Sequence, residues 1–404
     1  MSKNTHRIVA GAIGVALMAA LAGCSSAAGG TAAATGGKLA MPTSPVTLNL
    51  VDVSGDTVVA QPMIEAYMKK YPQYLANVNF STGDATQIAS KLKAQQAAGV
   101  SQIDMVLTGN DALGAGIQQG LWTKLFPAYD AQLGGSVASY QPGAKTLFDL
   151  ANGYAVVNDF GNYGPLVEYL PGTVATPPTT PAELLAWAKA HPGQFEYAIP
   201  ANSGPGRAFV QGLPYLLGDK DPLDPVKGWS KTWAYLKQLG QYIDFYPSGT
   251  TATMNDLANG SRSLIATSAG WDINARAIGT VPKGAKIGSF TGTSWIMDSN
   301  YVAVPKGISP DKLAVVLDLI KWMLTPTQQA RAYDDGYMYP GPSVKGVTPS
   351  MAPAASQAVL KNFGRPEYPA LLAKYPAVAP LSAQNLGVMF TMWDQQIGAQ
   401  KTKN

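Results

Sequence analysis

Val46-Thr47-Leu48-Asn49-Leu50-Val51-Asp52-Val53, followed by Ser54-Gly55-Asp56, opens the stretch that decides the fold. Apolar and β-branched residues dominate it and a Gly-Asp turn ends it, so it reads as a buried strand. The spacing then predicts a helix over 57–70, with Pro62 in its early turns and Met63, Ala66 and Tyr67 on one face. A short strand follows over 77–80. Asp84, with Gln87 three residues on, forms a capping-box pattern for a helix over 85–98, which Gly99 stops. Ile103 to Leu107 reads as a third strand, and Asn110-Asp111 starts a further helical stretch towards Gly120. Strands alternating with helices through short links imply parallel pairing by right-handed crossovers. Ligands of such sheets collect outside the carboxyl ends of the strands, beside helix N-termini. The loops 54–56, 82–84 and 108–111 should therefore meet on one edge, the first pointer to a site.

Towards the N-terminus the character changes. Lys3 and Arg7 give a basic start, and Ile8 to Leu21 is an apolar run too short and too rich in Ala and Gly for a good spanning helix. It ends at Leu21-Ala22-Gly23-Cys24, the small-residue pattern of a lipobox. The expectation is a lipoprotein signal peptide over 1–23 and a lipid anchor (diacylglyceryl, with palmitate-type acylation) on Cys24. Residues 24–45 are built almost wholly from Ser, Ala, Gly, Thr and Pro, too little apolar surface to offset ordering entropy, and read as a flexible tether. That places the folded part on the outer face of the cytoplasmic membrane, on the periplasmic side where a cell has two membranes.

Composition narrows the function. Cys24 is the only cysteine, so no intramolecular disulfide, CxxC pair or cysteine metal site is available. There are two histidines, and His6 falls in the leader. His191, in Lys189-Ala190-His191-Pro192-Gly193, reads as a helix C-terminus rather than a catalytic base. A Ser-His-Asp machine and a histidine zinc site are thus disfavoured, and no GxSxG, HExxH, EF-hand or Walker A pattern occurs. The formal charge of +4 includes Lys3 and Arg7, and no basic cluster points to nucleic acid. No cofactor or metal is expected. About 360 residues follow the tether, enough for one large or two medium domains.

Further along, Thr180-Pro181-Ala182-Glu183, Ser309-Pro310-Asp311 and Thr325-Pro326-Thr327-Gln328 share a helix-start signal, a hydroxyl residue followed by proline. Residues 255–260 read as a helix end, 263–267 and 300–304 as strands, 171–181 and 340–353 as loops, and the last fifty residues as weakly patterned helix.

In order and character these pieces resemble the extracellular solute-binding proteins of the maltose-binding-protein type. Ile103 to Leu107 with Gly120 to Leu125, Thr180 to Ala188, Gly260 to Ala266 and Leu319 to Ala330 carry the likeness across nearly all the mature chain. Gly193 to Tyr197, Trp233 to Ser248 and Ser299 to Pro305 look like one poorly characterised branch of that type. The family's usual Trp-Asp-Glu is Pro-Ala-Glu here, at Pro181 to Glu183. The resemblance implies an α/β, two-lobed periplasmic-binding-protein fold of type II, each lobe a mostly parallel sheet flanked by helices, joined by crossing hinge strands. It implies lobe 1 over 46–154 and 288–325 and lobe 2 over 155–287 and 326–404. It also implies solute capture between the lobes, for delivery to an ABC permease in the membrane, by a monomer that is not an enzyme. A secreted carboxylate-dependent glycoside hydrolase and a cell-surface interaction protein are the alternatives, since carboxylate pairing is invisible without a fold.

The candidate solute contacts are Asp56, Asp84, Asn110, Asp111, Arg207, Trp271, Asp272, Trp295, Tyr337 and Tyr339. Asp56, Asp84 and Asp111 follow three successive strands and also suit helix N-caps, worth about 1 kcal/mol each. Arg207, after Gly204-Pro205-Gly206, suits an acidic solute group or a surface ion pair. Trp271, Trp295, Tyr337 and Tyr339 have polar neighbours, and aromatic faces of this kind stack on sugars or hold cations, though each also suits the core. Asp272 and a second acid, Asp298, lie beside two of the tryptophans. Trp122, Trp187, Trp229, Trp233 and Trp322 sit in helical patterns and read as core. Acids with aromatics suggest a cationic or polyhydroxylated solute.

Overall fold

A computed structural model describes residues 38–162, 164–399 and 401; the expected signal peptide, Cys24 and the tether up to residue 37 lie outside the described residues. Among the described residues, eleven strands form two sheets. They are β1 (Val46–Asp52), β2 (Leu75–Thr82), β3 (Met105–Thr108), β4 (Ala155–Asn162), β5 (Leu166–Tyr169), β6 (Phe195–Glu196), β7 (Leu264–Thr267), β8 (Lys286–Ser289), β9 (Trp295–Ala303), β10 (Pro340–Pro342) and β11 (Ala377–Val378). The larger sheet runs β10-β4-β9-β3-β1-β2 with β11 beside β9, and the smaller runs β6-β7-β5-β8.

The opening stretch folds as its pattern dictates. β1 pairs parallel with β2 and with β3, through the helices Thr57–Lys70 and Ile88–Ala97. Beyond them the expected mostly parallel sheets give way to mixed ones. β9 runs antiparallel to β3 and to β4, β10 is antiparallel to β4, and β5 is antiparallel to both β7 and β8. The cause is that β4, running the same way as β1 and β3, leaves the larger sheet for the smaller one at their carboxyl ends, and β9 returns through that same end and so runs against them. β4 leads straight into β5, and β9 follows β8; Ile296 N–H donates to Gly164 O at 2.9 Å, tying the two crossings together. Within the stretches expected as the second lobe, β4 and β10 pair in the larger sheet.

Each sheet has its own core. Leu48, Leu50, Val106 and Leu107 pack with Val59, Met63, Ile64 and Tyr67 of helix Thr57–Lys70 and with Leu313, Val316 and Ile320 of helix Pro310–Met323. Val167, Leu264 and Ala266 pack with Phe209, Val210 and Leu213 of helix Gly204–Leu217 and with Leu386, Met389 and Trp393 of helix Ala383–Trp393. Of the tryptophans read as core, Trp122 and Trp229 are wholly buried and Trp233 nearly so, whereas Trp187 is half-buried and stacks on His191. The His191 ring Nδ1 lies 2.8 Å from Trp187 O at a helix end, the unremarkable role its sequence position suggests. At the end of the expected tether, Leu39 N–H donates to Gln132 Oε1 at 2.9 Å, and Leu39 and Met41 pack on the larger core.

Several helix starts are as expected. The Thr180 hydroxyl accepts from Glu183 N–H at 3.1 Å, and the Ser309 hydroxyl accepts from Lys312 N–H. Others differ. Helix Ile88–Ala97 begins three residues late because Asp84 accepts from the amide and hydroxyl of Thr86, at 2.7 Å each, and so closes a turn of its own. At helix Thr57–Lys70 the capping carboxylate is Asp52, which accepts from the amides of Ser54, Gly55 and Thr57 and from the Thr57 hydroxyl. Asp56 makes no cap. Thr325 also makes none, and its hydroxyl donates back to Trp322 O.

Helices Asn110–Gln118 and Ala383–Trp393, one from each core, cross at Gly114, where a Cβ would come within 1.8 Å of the Ala383 Cβ. Gly114→Leu should therefore overpack this crossing and cost about 1–3 kcal/mol in a denaturant unfolding experiment. An unchanged midpoint would mean that the helices separate freely.

Candidate functional site

A cleft of about 820 Å³ opens where the expected loops converge. The larger sheet contributes Ser54, Thr82, Gly83, Asp84, Gly109 and Asp111, from the carboxyl ends of β1, β2 and β3. The β4–β9 crossing region adds Asp298, Ser299 and Asn300. The opposite wall comes from helix starts of the smaller sheet: Ser203 and Arg207 at helix Gly204–Leu217, Ser248 to Thr251 and Asn255 at helix Thr250–Ala258, and Trp271 at helix Trp271–Ala277. Tyr337 closes one end, its ring centroid 5.1 Å from that of Trp271. Helix N-termini face such clefts with unsatisfied amides, which suits them to hydrogen-bonding a polar guest.

Among the described lining residues the charged groups are Asp84, Asp111, Asp298 and Arg207. Arg207 joins the two walls: Nη1 lies 3.2 Å from Asp111 Oδ2 and Nη2 lies 2.9 Å from Asp298 Oδ2. Asn110 stands behind this group, donating to Asp298 Oδ1 at 2.6 Å and accepting from the Tyr301 hydroxyl at 2.8 Å. The donors of Thr86 hold the Asp84 carboxyl below its ordinary range. Three carboxylates against one guanidinium leave the cleft acidic.

Beneath the floor lies a second acidic group that the sequence did not disclose. Asp56 and Asp159 are buried together, bridged by Asn158 (2.9 Å to Asp56 Oδ2) and by Asn300 (2.9 Å to Asp159 Oδ1). Burial pushes both carboxyls up, and the Asp159 charge adds to the rise at Asp56, because two such groups cannot both ionise cheaply out of water. Asn300 touches both the pair and the cleft, so the floor is held by uncharged amide contacts.

Of the candidates named from sequence, the structure brings Asp84, Asp111, Arg207, Trp271 and Tyr337 to the cleft. Asn110 lies one layer behind. Asp56 stands at the start of helix Thr57–Lys70, but its side chain is buried under the floor and makes no cap bond, because Asp52 already serves that helix. Asp272 is buried and faces away, held by Arg365 Nε at 2.7 Å, Arg276 Nη2 at 3.4 Å and the Tyr368 hydroxyl. Trp295 is wholly buried inside β9, because that strand starts five residues earlier than its pattern suggests. Tyr339 packs on Tyr368 at 5.1 Å, away from the cleft lining. Ser54 and Thr82 belong to the loops expected on this edge, and the lining residues missed from sequence are mostly small and polar: Ser203, Thr250, Thr251, Asn255, Ser299 and Asn300. One signal was present, the polar run Asp298-Ser299-Asn300 in the middle of an otherwise largely apolar strand.

No described helix is long and apolar enough to cross a membrane. No curated protein matches the sequence. Solved structures share the fold at low identity. An ABC transporter structure from Clostridium perfringens aligns with TM-score 0.65 at 14% identity, covering 88% of this chain and 100% of that one. A periplasmic thiamin-binding protein aligns with TM-score 0.62 at 16% identity, covering 90% and 100%. A spermidine/putrescine ABC transporter substrate-binding protein from Streptococcus pneumoniae aligns with TM-score 0.57 at 14% identity, covering 86% and 99%. They establish the two-lobed α/β architecture of periplasmic binding proteins. The model of the family described as bacterial extracellular solute-binding protein matches residues 62–361, and the chain belongs to that family.

Proposed function

We propose that this protein captures a small cationic, polar solute between its two lobes and hands it unchanged to an ABC permease. The observation that carries the reading is the acidic cleft of about 820 Å³ walled by both sheets, in which three acids, Asp84, Asp111 and Asp298, stand against one base, Arg207, among the described lining residues. Capture of this kind needs no nucleophile. It needs a guest that binds the closed arrangement better than the open one. A cation arriving beside Asp111 and Asp298 would compete with Arg207 for the two carboxylates that now join the walls, so guest binding and wall spacing are coupled.

Sheet membership supports a first lobe over 46–162 and 295–342 and a second lobe built on 166–289 with the C-terminal helix Ala383–Trp393. Cys24 is the proposed lipid anchor on the outer face of the cytoplasmic membrane. The proposed tether stops short of Leu39, which is docked on Gln132. The protein works as a monomer in this reading.

Thermal unfolding of the purified protein with a panel of diamines, polyamines, quaternary ammonium compounds and thiamin tests the function. A true guest at a hundredfold excess over Kd should raise stability by about 2.7 kcal/mol. Asp111→Asn should weaken that guest roughly tenfold or more, the scale of one charge-assisted contact. A panel without any shift, alongside a shift with anionic or neutral sugars, would overturn the cationic assignment.

A further inference from the structure

The cleft does not end at Asp111. A groove of about 500 Å³ continues from it, sharing Ala85, Asp111 and Ala201 as common walls. Its sides are helix Asn110–Gln118, through Ala115, and helix Ala383–Trp393, through Ala383, Leu386, Val388 and Phe390. These helices belong to different cores and touch at Gly114 and Ala383, so the groove, like the cleft, is bounded by both lobes. The chemistry shifts along the line. The cleft side is richer in Ser, Thr, Asn and Asp, with Trp271 and Tyr337 among them, whereas the groove is lined mainly by Ala, Leu, Val, Phe and Met beside Thr86, Gln118, Gln384 and Thr391, with Asp111 common to both.

We infer that the two compartments hold two ends of one solute: an ammonium or related cationic head at Asp111, and an apolar tail in the groove between the two helices. This rests on the cationic reading of the cleft and narrows it to amphipathic organic cations. The shared lining favours a single guest, because a tail leaving the head at Asp111 towards helix Ala383–Trp393 meets more apolar surface than one turned back among the hydroxyls and amides of the cleft. Covering that surface removes it from water. Because both lobes wall the groove, the tail also adds to the preference for closure.

Gly387 supplies a clean test. It lines the groove on helix Ala383–Trp393, and a Cβ there would meet nothing within 4 Å. Gly387→Leu fills the groove while improving helix propensity, so the variant should melt no lower than the parent. Calorimetric titration would use butylammonium, hexylammonium and octylammonium, with 1,4-diaminobutane as the polar-tailed counterpart. The parent should bind about fourfold tighter per added methylene, and hexylammonium should exceed the diamine. In Gly387→Leu the gain from hexyl to octyl should vanish. Ammonium binding that is indifferent to tail length, or tightest for the diamine, would overturn the groove assignment and leave the cationic cleft standing. Absence of binding by every probe would overturn the cationic cleft, and the groove assignment with it.

Discussion

Asp272→Ala should lower the unfolding free energy by about 3–5 kcal/mol, the cost of removing one partner from a buried ion pair. The Asp272 carboxylate is wholly buried and receives Arg365 Nε at 2.7 Å, Arg276 Nη2 at 3.4 Å and the Tyr368 hydroxyl. Truncation leaves two guanidiniums in a low-dielectric interior. Arg276 retains the backbone carbonyls of Asp272 and Phe363, and Arg365 has fewer alternatives. Glu168, whose carboxyl lies in the same buried group, is the available substitute: with the Asp272 charge gone, it would ionise against the arginines and hold the loss towards the lower end. The double variant Asp272→Ala, Glu168→Gln should therefore lose more than the two single losses combined. Urea unfolding measures this as a fall in midpoint at constant slope. A loss under about 1 kcal/mol would show that the cluster is not what holds helix Trp271–Ala277, and hence Trp271 at the cleft, in place.

The second large effect is on pH dependence. Burial, and then the neighbouring Asp272 charge, push the Glu168 carboxyl up to about 8, against the opposing pull of Arg365 and Arg276. The native protein thus keeps a proton that the unfolded chain has released. Stability from this group is fully present below the ordinary glutamate value near 4.5 and is lost as pH rises to about 8. Within that window one retained proton gives a slope of about 1.4 kcal/mol per pH unit, so the span amounts to a few kcal/mol. Glu168→Gln, which mimics the protonated form, should flatten the decline and make the variant the more stable of the two at pH 8. Chemical unfolding at intervals from pH 5 to pH 8 reads it directly. Equal slopes in parent and variant would place the Glu168 proton elsewhere.

Both effects come from a polar cluster that no periodicity announces. Asp272 in sequence is an acid beside a tryptophan after a strand, which is also how a solute contact looks. Its partners Arg365 and Tyr368 come from a segment about ninety residues away, so only the fold decides between a guest outside and a guanidinium inside. The same limit governs Asp56. Sequence places it at the start of a helix, but Asp52 takes the cap and Asp56 turns inwards to Asn158. Trp295 was drawn to the cleft by its polar neighbours, and the extension of β9 over it put it in the core. Asp84, Asp111, Arg207 and Trp271 were legible because they sit where strands end and helices begin. In an α/β sheet that place is fixed by chain direction alone. Tyr337, which follows the short helix Ala330–Gly336, was legible only as an aromatic with polar neighbours.

The sequence by itself determined the alternation of strands and helices over 46–118, the edge on which their loops meet, the scarcity of cysteine and histidine, and membership of a binding family. The first three follow from local periodicity, turn chemistry and residue counts, and the family from likeness to known sequences. The tertiary structure decided which strands turn antiparallel, which acids face the cleft and which are neutralised inside, and that an apolar groove continues the cleft at Asp111. Those depend on contacts between residues far apart in the chain, where burial sets the cost of a charge and only the assembled neighbours can meet it.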